Sequence, residues 1–171
     1  ILYPVMPAGQ FIWVFRAALL LAIVLHIWSA ATLSVKTMKN RGSKYQVDKR
    51  QVQTYSSRTM RWGGVIILVF VVFHLIQFTI VPGILGGRAD HPHTMVIAGF
   101  QQWWITAFYA FSIVLVCMHI RHGLWSAFAT LGGNLSAASR KWLNIIALAV
   151  SVALYAGFMI MPLCVQFGVL K

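Results

Sequence analysis

Glutamate is absent from this chain of 171 residues, and Asp48 and Asp90 are its only acids. Charged residues of either sign make up 9% of it, where a water-soluble domain carries about 25%. So few charges cannot clothe a water-facing surface of this size, and lipid has to cover most of it. Cysteine is scarce as well: Cys117 and Cys164 both lie in apolar runs, which excludes a disulfide framework. There is no phosphate-binding loop, flavin motif or carboxylate-binding site for a soluble substrate. Nor is there a signal-peptide pattern, an internal repeat or a low-complexity segment. Soluble enzyme classes and nucleic-acid binders, which need a water-exposed basic face, are set aside.

What is present is apolar and aromatic: 60% hydrophobic residues, 13% aromatic, with seven tryptophans. A helix needs about 20 mostly apolar residues to cross the hydrocarbon of a bilayer. Four runs qualify, at residues 11–35, 63–85, 103–131 and 142–168, with Arg16 inside the first and Pro162 inside the last as an expected kink or stop. These predict an all-α, integral membrane helical bundle of four spans in one domain, residues 1–171. The net charge of +12 is concentrated between the first two runs, in Lys36, Lys39, Arg41, Lys44, Lys49, Arg50, Arg58 and Arg61. Short basic loops stay in the cytoplasm, so this link and the one holding Arg140 and Lys141 face inward. The link from Gly86 to Gln102 faces outward, and runs one and three descend while two and four ascend. The basic loop suits a docked partner or anionic lipid, or it records topology alone.

Ionisable groups inside a bilayer are costly and point to function. Six histidines occur, and His26, His74, His119 and His122 fall in apolar runs. A neutral imidazole suits haem iron, because its lone pair binds the metal without adding charge to the hydrocarbon. Counting from Lys36 and Leu131 puts His26 and His119 about 15 Å and 18 Å from the inner edge, at 1.5 Å per residue. His26 and His119 each stand 16 residues past an outer landmark, Gln10 and Trp103, on helices of the same direction, and such matched depth on two parallel helices is what a ring clamped between two imidazoles requires. His74, about 20 Å from the inner edge counted from Arg61, is free to join the same iron or a second one. His122 and Arg121 are candidates for a haem propionate or a quinone oxygen. The bland alternative for each histidine is a satisfied interhelical hydrogen bond. His91 and His93, in an Asp-His-Pro-His string, are expected in a solvated outer turn rather than at a metal. A Rieske-type [2Fe-2S] cluster held by both cysteines and two histidines is a further alternative, disfavoured by the unequal depths of Cys117 and Cys164.

The stretch His119-Ile-Arg-His-Gly-Leu-Trp-Ser-Ala-Phe-Ala-Thr-Leu-Gly132 is similar to the H-x-x-[HN]-G-x-W-S-x-x-x-T-x-G helix of a known family. Arg58-Thr-Met-Arg-Trp-Gly-Gly with Phe73-His74, and Leu25-His26-Ile-Trp-Ser, resemble two more of its segments. The family is the cytochrome b membrane-anchor subunit of succinate dehydrogenase and fumarate reductase, in its single-chain, five-helix, di-haem form. The resemblance implies haem b ligated by His26 and His119 near the cytoplasm, and His74 as one ligand of an outer haem. The outer haem's other ligand belongs to an earlier helix that these residues do not contain, so either a helix precedes Ile1 or one haem is held. It implies a quinone, menaquinone by family form, near the inner interface, where Ser29, Lys36, Tyr55, Ser56, Arg58 and Trp62 offer hydrogen bonds. Its partners would be the flavoprotein and iron–sulfur subunits of respiratory complex II on the cytoplasmic face of a bacterial plasma membrane. No carboxylate lies in the four runs, so a carboxylate proton relay would need the earlier helix or a partner. A cofactor-free anchor and a transporter are the rivals, but a transporter would place helix breaks at mid-membrane, and Pro82 and Pro162 lie near helix ends.

Overall fold

The structure, a computed structural model, describes residues 10–39 and 55–171, without the side chains of residues 10, 37, 38, 55–59 and 61. Among the described residues every regular element is helical: α1 (Gln10–Lys39), α2 (Tyr55–Leu75), α3 (Pro92–Phe100), α4 (Trp103–Thr130) and α5 (Ala137–Gln166). Four of these are long and apolar enough to cross a membrane, with spans Phe11–Lys36, Trp62–Ile80, Trp103–Thr130 and Ala137–Gln166. The chain divides into two compact units, Ile1–Arg50 and Gln51–Lys171.

The described residues of the first unit form the helix α1. Its one charge within the apolar run, Arg16, lies over the Trp13 ring at 5.2 Å, so a cation–π contact and a long aliphatic stem accommodate it near the helix start. Thr32 returns its hydroxyl to the carbonyls of Trp28 and Ser29, both at 2.9 Å, which hides a polar group from lipid.

In the second unit α4 packs between α2 and α5, and α3 rests against α4 and α5. The buried core lies along α4, from Ile105 through Tyr109 and Ile113 to Cys117, with Phe100, Met159 and Val165 around it. A polar clasp joins α4 to α5 inside this apolar setting: the Ser151 hydroxyl is shared between Cys117 O at 3.0 Å and its own helix's Ala147 O at 2.8 Å.

Helix ends follow local chemistry and correct several boundaries read from the runs. α2 leaves the α conformation at Leu75, not Leu85, and passes into a π-helical turn, Ile76–Ile80, closed by Val81 N–H donating to Ile76 O at 3.0 Å. Pro82 follows; it has no N–H and drives Val81 out of the helical region, to φ −126°. The outward link is not irregular throughout. Its second half is the nine-residue α3, opened by Pro92 in its first turn, with Met95, Ile97, Gly99 and Phe100 buried. α5 begins at Ala137, five residues before Trp142, because Ser136 and Ser139 form a reciprocal capping box. Pro162 does not stop α5, which runs on to Gln166.

Candidate cofactor site

α2 and α4 are antiparallel, and two contacts fix their register. The His74 Nδ1 and the Tyr109 hydroxyl are 3.0 Å apart. A β-carbon placed on Gly64 would lie 3.9 Å from His119 Cε1, ordinary van der Waals contact. Ten residues separate Gly64 from His74, and ten separate Tyr109 from His119. Both contacts therefore belong to one register, in which His74 and His119 lie about 15 Å apart along the bundle axis. An imidazole nitrogen bonds a transition metal at about 2 Å, so two axial ligands of one iron face each other across about 4 Å. His74 and His119 cannot share an iron.

The same register puts Arg121 and His122 level with Trp62 and Arg61 of α2. Charged and indole side chains gather where hydrocarbon meets headgroups. That level thus marks an interface, and His119 stands within about one turn of it, closer than the 18 Å counted from Leu131. α4 and α5, with 28 and 30 residues, are about 42–45 Å long, more than the hydrocarbon thickness requires. Their surplus extends inward past Arg121.

His74 is the best-defined of the candidates. Tyr109, 5% exposed, donates its hydroxyl proton to Gln77 Oε1 at 2.8 Å, and Gln77 is 3% exposed. A phenol has one proton to give, so with that proton on Gln77 the hydroxyl accepts from His74 Nδ1–H. The neutral imidazole then carries its free lone pair on Nε2. Aromatic rings enclose the tyrosine: Phe100 and Phe70 meet it edge-on at 4.9 Å and 5.1 Å, and Phe78 lies 5.3 Å from the His74 ring. Tyr109 and Gln77 were not singled out from sequence. The available signal was Gln77 three residues after His74, a second polar group on one helix face within an apolar run.

The remaining candidates separate. His119 faces α2, whereas Arg121 lines a groove of about 230 Å³ between α4 and α5, with Val114, Met118, Leu148 and Tyr155. His122 is half-buried, and beside it Gly123 has open space where a side chain would stand. Trp125 Nε1 is buried with no acceptor among the described residues. His26, Ser29 and Lys36 are on α1, in the other unit. Trp62 is exposed, and the side chains of Tyr55, Ser56 and Arg58 lie outside the described residues. Asp90 pairs with exposed Arg88 at 2.8 Å and caps no metal group; no set of three His, Cys, Asp or Glu converges among the described residues. Both cysteines are free thiols. Ser151 is level with Cys117, and Cys164 lies 13 residues further along α5, about 20 Å away, too far for one cluster.

The four long apolar helices define a multi-pass membrane protein. The model of the succinate dehydrogenase/fumarate reductase transmembrane subunit family matches residues 35–158, and the chain belongs to that family. The match includes His74, His119, His122 and Arg121; His26 lies ahead of it. No curated protein and no solved structure matches the chain.

Proposed function

We propose that this membrane-anchor subunit holds b-type haem, with His26 and His119 as the axial pair of one haem and His74 as a ligand of a second. The observation that carries this reading is the pair of imidazoles set about 15 Å apart along the α2–α4 register, one near the interface and one deeper in hydrocarbon. Small residues gather at the level of His119. Gly64 brings α2 against His119, and Gly63 and Gly123 have nothing within 4 Å of where a side chain would begin. Nitrogen donors without charge are the chemistry an intramembrane iron porphyrin asks of a protein.

Haem b, when bound, supplies a one-electron couple between the iron–sulfur subunit and quinone. The chain's own residues set ligand orientation, polarity and access. Arg121 and His122 are the candidates for propionates or a quinone oxygen, and the α4–α5 groove offers an apolar slot beside Arg121. Flavoprotein and iron–sulfur subunits would dock on the cytoplasmic side, where the basic segment and the inward surplus of α4 and α5 lie. A bacterial plasma membrane and menaquinone complete the reading.

The test is a reduced-minus-oxidised absorption spectrum of the purified complex, with haem quantified per chain. Low-spin b haem near stoichiometric amount, reduced in His26→Ala and in His119→Ala, is expected. A colourless, metal-free complex would refute the proposal. A paramagnetic cluster signal in place of haem would turn the reading toward an iron–sulfur centre.

A further inference from the structure

We infer that Tyr109 and Gln77 are positioning residues that hold His74 in its Nδ1–H tautomer and so present Nε2 as a metal-binding nitrogen. The inference rests on the haem reading for His74 and names the residues behind that ligand. The polar chain runs from His74 Nδ1 to the Tyr109 hydroxyl at 3.0 Å, and from that hydroxyl to Gln77 Oε1 at 2.8 Å. Its direction is set at the far end. The Gln77 oxygen is an acceptor only, so the phenol proton points to it and the phenol lone pairs are left for the imidazole N–H.

The far end is also held in place. Gln77 sits in the π-helical turn, a geometry that re-aims side chains and recurs at functional sites. Its Nε2 lies so close to Gly99 of α3 that a β-carbon there would come within 2.7 Å. That nitrogen is buried and has no acceptor among the described residues. An unsatisfied buried donor costs about 1–3 kcal/mol, so its retention needs a reason beyond packing. The oxygen side of the amide is committed to Tyr109. The reverse amide orientation would send the phenol proton to Nδ1 and leave Nε2 carrying a hydrogen, unable to bind iron.

Hydrogen bonding from a ligand's distal N–H to an oxygen raises the electron density of the ring and favours the oxidised metal. The experiment uses the full chain in its purified complex, and reads redox titration and low-spin electron paramagnetic resonance of each haem component. His74→Ala identifies the component that depends on His74. Tyr109→Phe keeps the ring and its aromatic contacts and deletes only the hydroxyl. The expected result is retained haem with the midpoint potential of that one component raised and its g-values shifted. Gln77→Met should move the same component in the same direction by a smaller amount, and it carries the test if Tyr109→Phe fails to assemble. Unchanged potential and g-values in the surviving variants, with loss in His74→Ala, would overturn the positioning role and leave the haem reading intact. A lowered potential would overturn it too, by showing the reverse proton order. No spectral change in His74→Ala would remove His74 as a ligand and defeat both.

Discussion

Two glycines with nearly the same backbone conformation should respond very differently to one methyl group. Gly87 has φ +81° and Gly132 has φ +83°. Any L-residue at such an angle costs about 1–2 kcal/mol relative to glycine, offset at both sites by about 0.4–1 kcal/mol from a stiffer unfolded chain. The sites differ in room. Around Gly132 nothing lies within 4 Å of a new β-carbon, whereas at Gly87 it would meet Met95 N at 2.5 Å, Met95 Cα at 2.6 Å and Thr94 C at 2.6 Å. Those are backbone atoms in the first turns of α3, so no rotamer change relieves them. Contact normally begins at about 3.5–4 Å, and relief needs a shift of about 1 Å, at a further 1–3 kcal/mol. Gly87→Ala is therefore expected to cost about 2 kcal/mol more than Gly132→Ala, near 4–8 °C in melting temperature for a chain of this size. Tryptophan-fluorescence melting of the two variants in one detergent measures it. Equal melting temperatures would refute the argument that α3 is clamped against the outer loop at Gly87.

Gly99→Ala should push the Gln77 amide away from α3, break the Tyr109–Gln77 hydrogen bond and destabilise the protein by about 1–2 kcal/mol, read by the same melting assay. Ser151→Ala removes the hydroxyl shared with Cys117 O, and the loss is expected near 0.6 kcal/mol, the size of an interhelical bond in lipid; a drop above about 2 kcal/mol would mean the clasp is not an isolated bond. Asp90→Asn should change stability by less than about 1 kcal/mol, because the Arg88 pair is exposed to solvent and a surface ion pair contributes little.

The spans were legible because hydrocarbon thickness imposes them. Trp103 opens α4 as read from sequence, and α1 covers the first apolar run with one residue added at its start and four at its end. The ends that were missed are set by groups whose effect is local and geometric. The Ser136–Ser139 box starts α5 early, Pro82 shortens α2 through the residue before it, and Pro92 begins a helix inside a segment that looked like a loop. Pro162 misled in the opposite direction, since four helical residues follow it.

Depth was the quantity that sequence could not supply, and it governs the whole cofactor argument. Counting from Arg61 to His74 and from Leu131 back to His119 gives nearly equal depths only if both landmarks mark one surface. The register shows that they do not. Arg61 is level with His122, and Leu131 lies nine residues, about 14 Å, further inward. Long helices such as α4 outlast the bilayer, so the last apolar residue of a run is a poor marker of its edge; the first charge inside the run, Arg121, is a better one. With that correction one candidate level divides into two. His74 with Tyr109 and Gln77 lies deep among aromatic rings, and His119 with His122 and Arg121 lies at the inner rim. The proposed two-haem reading requires two such levels, whereas a single structural histidine pair would need only one.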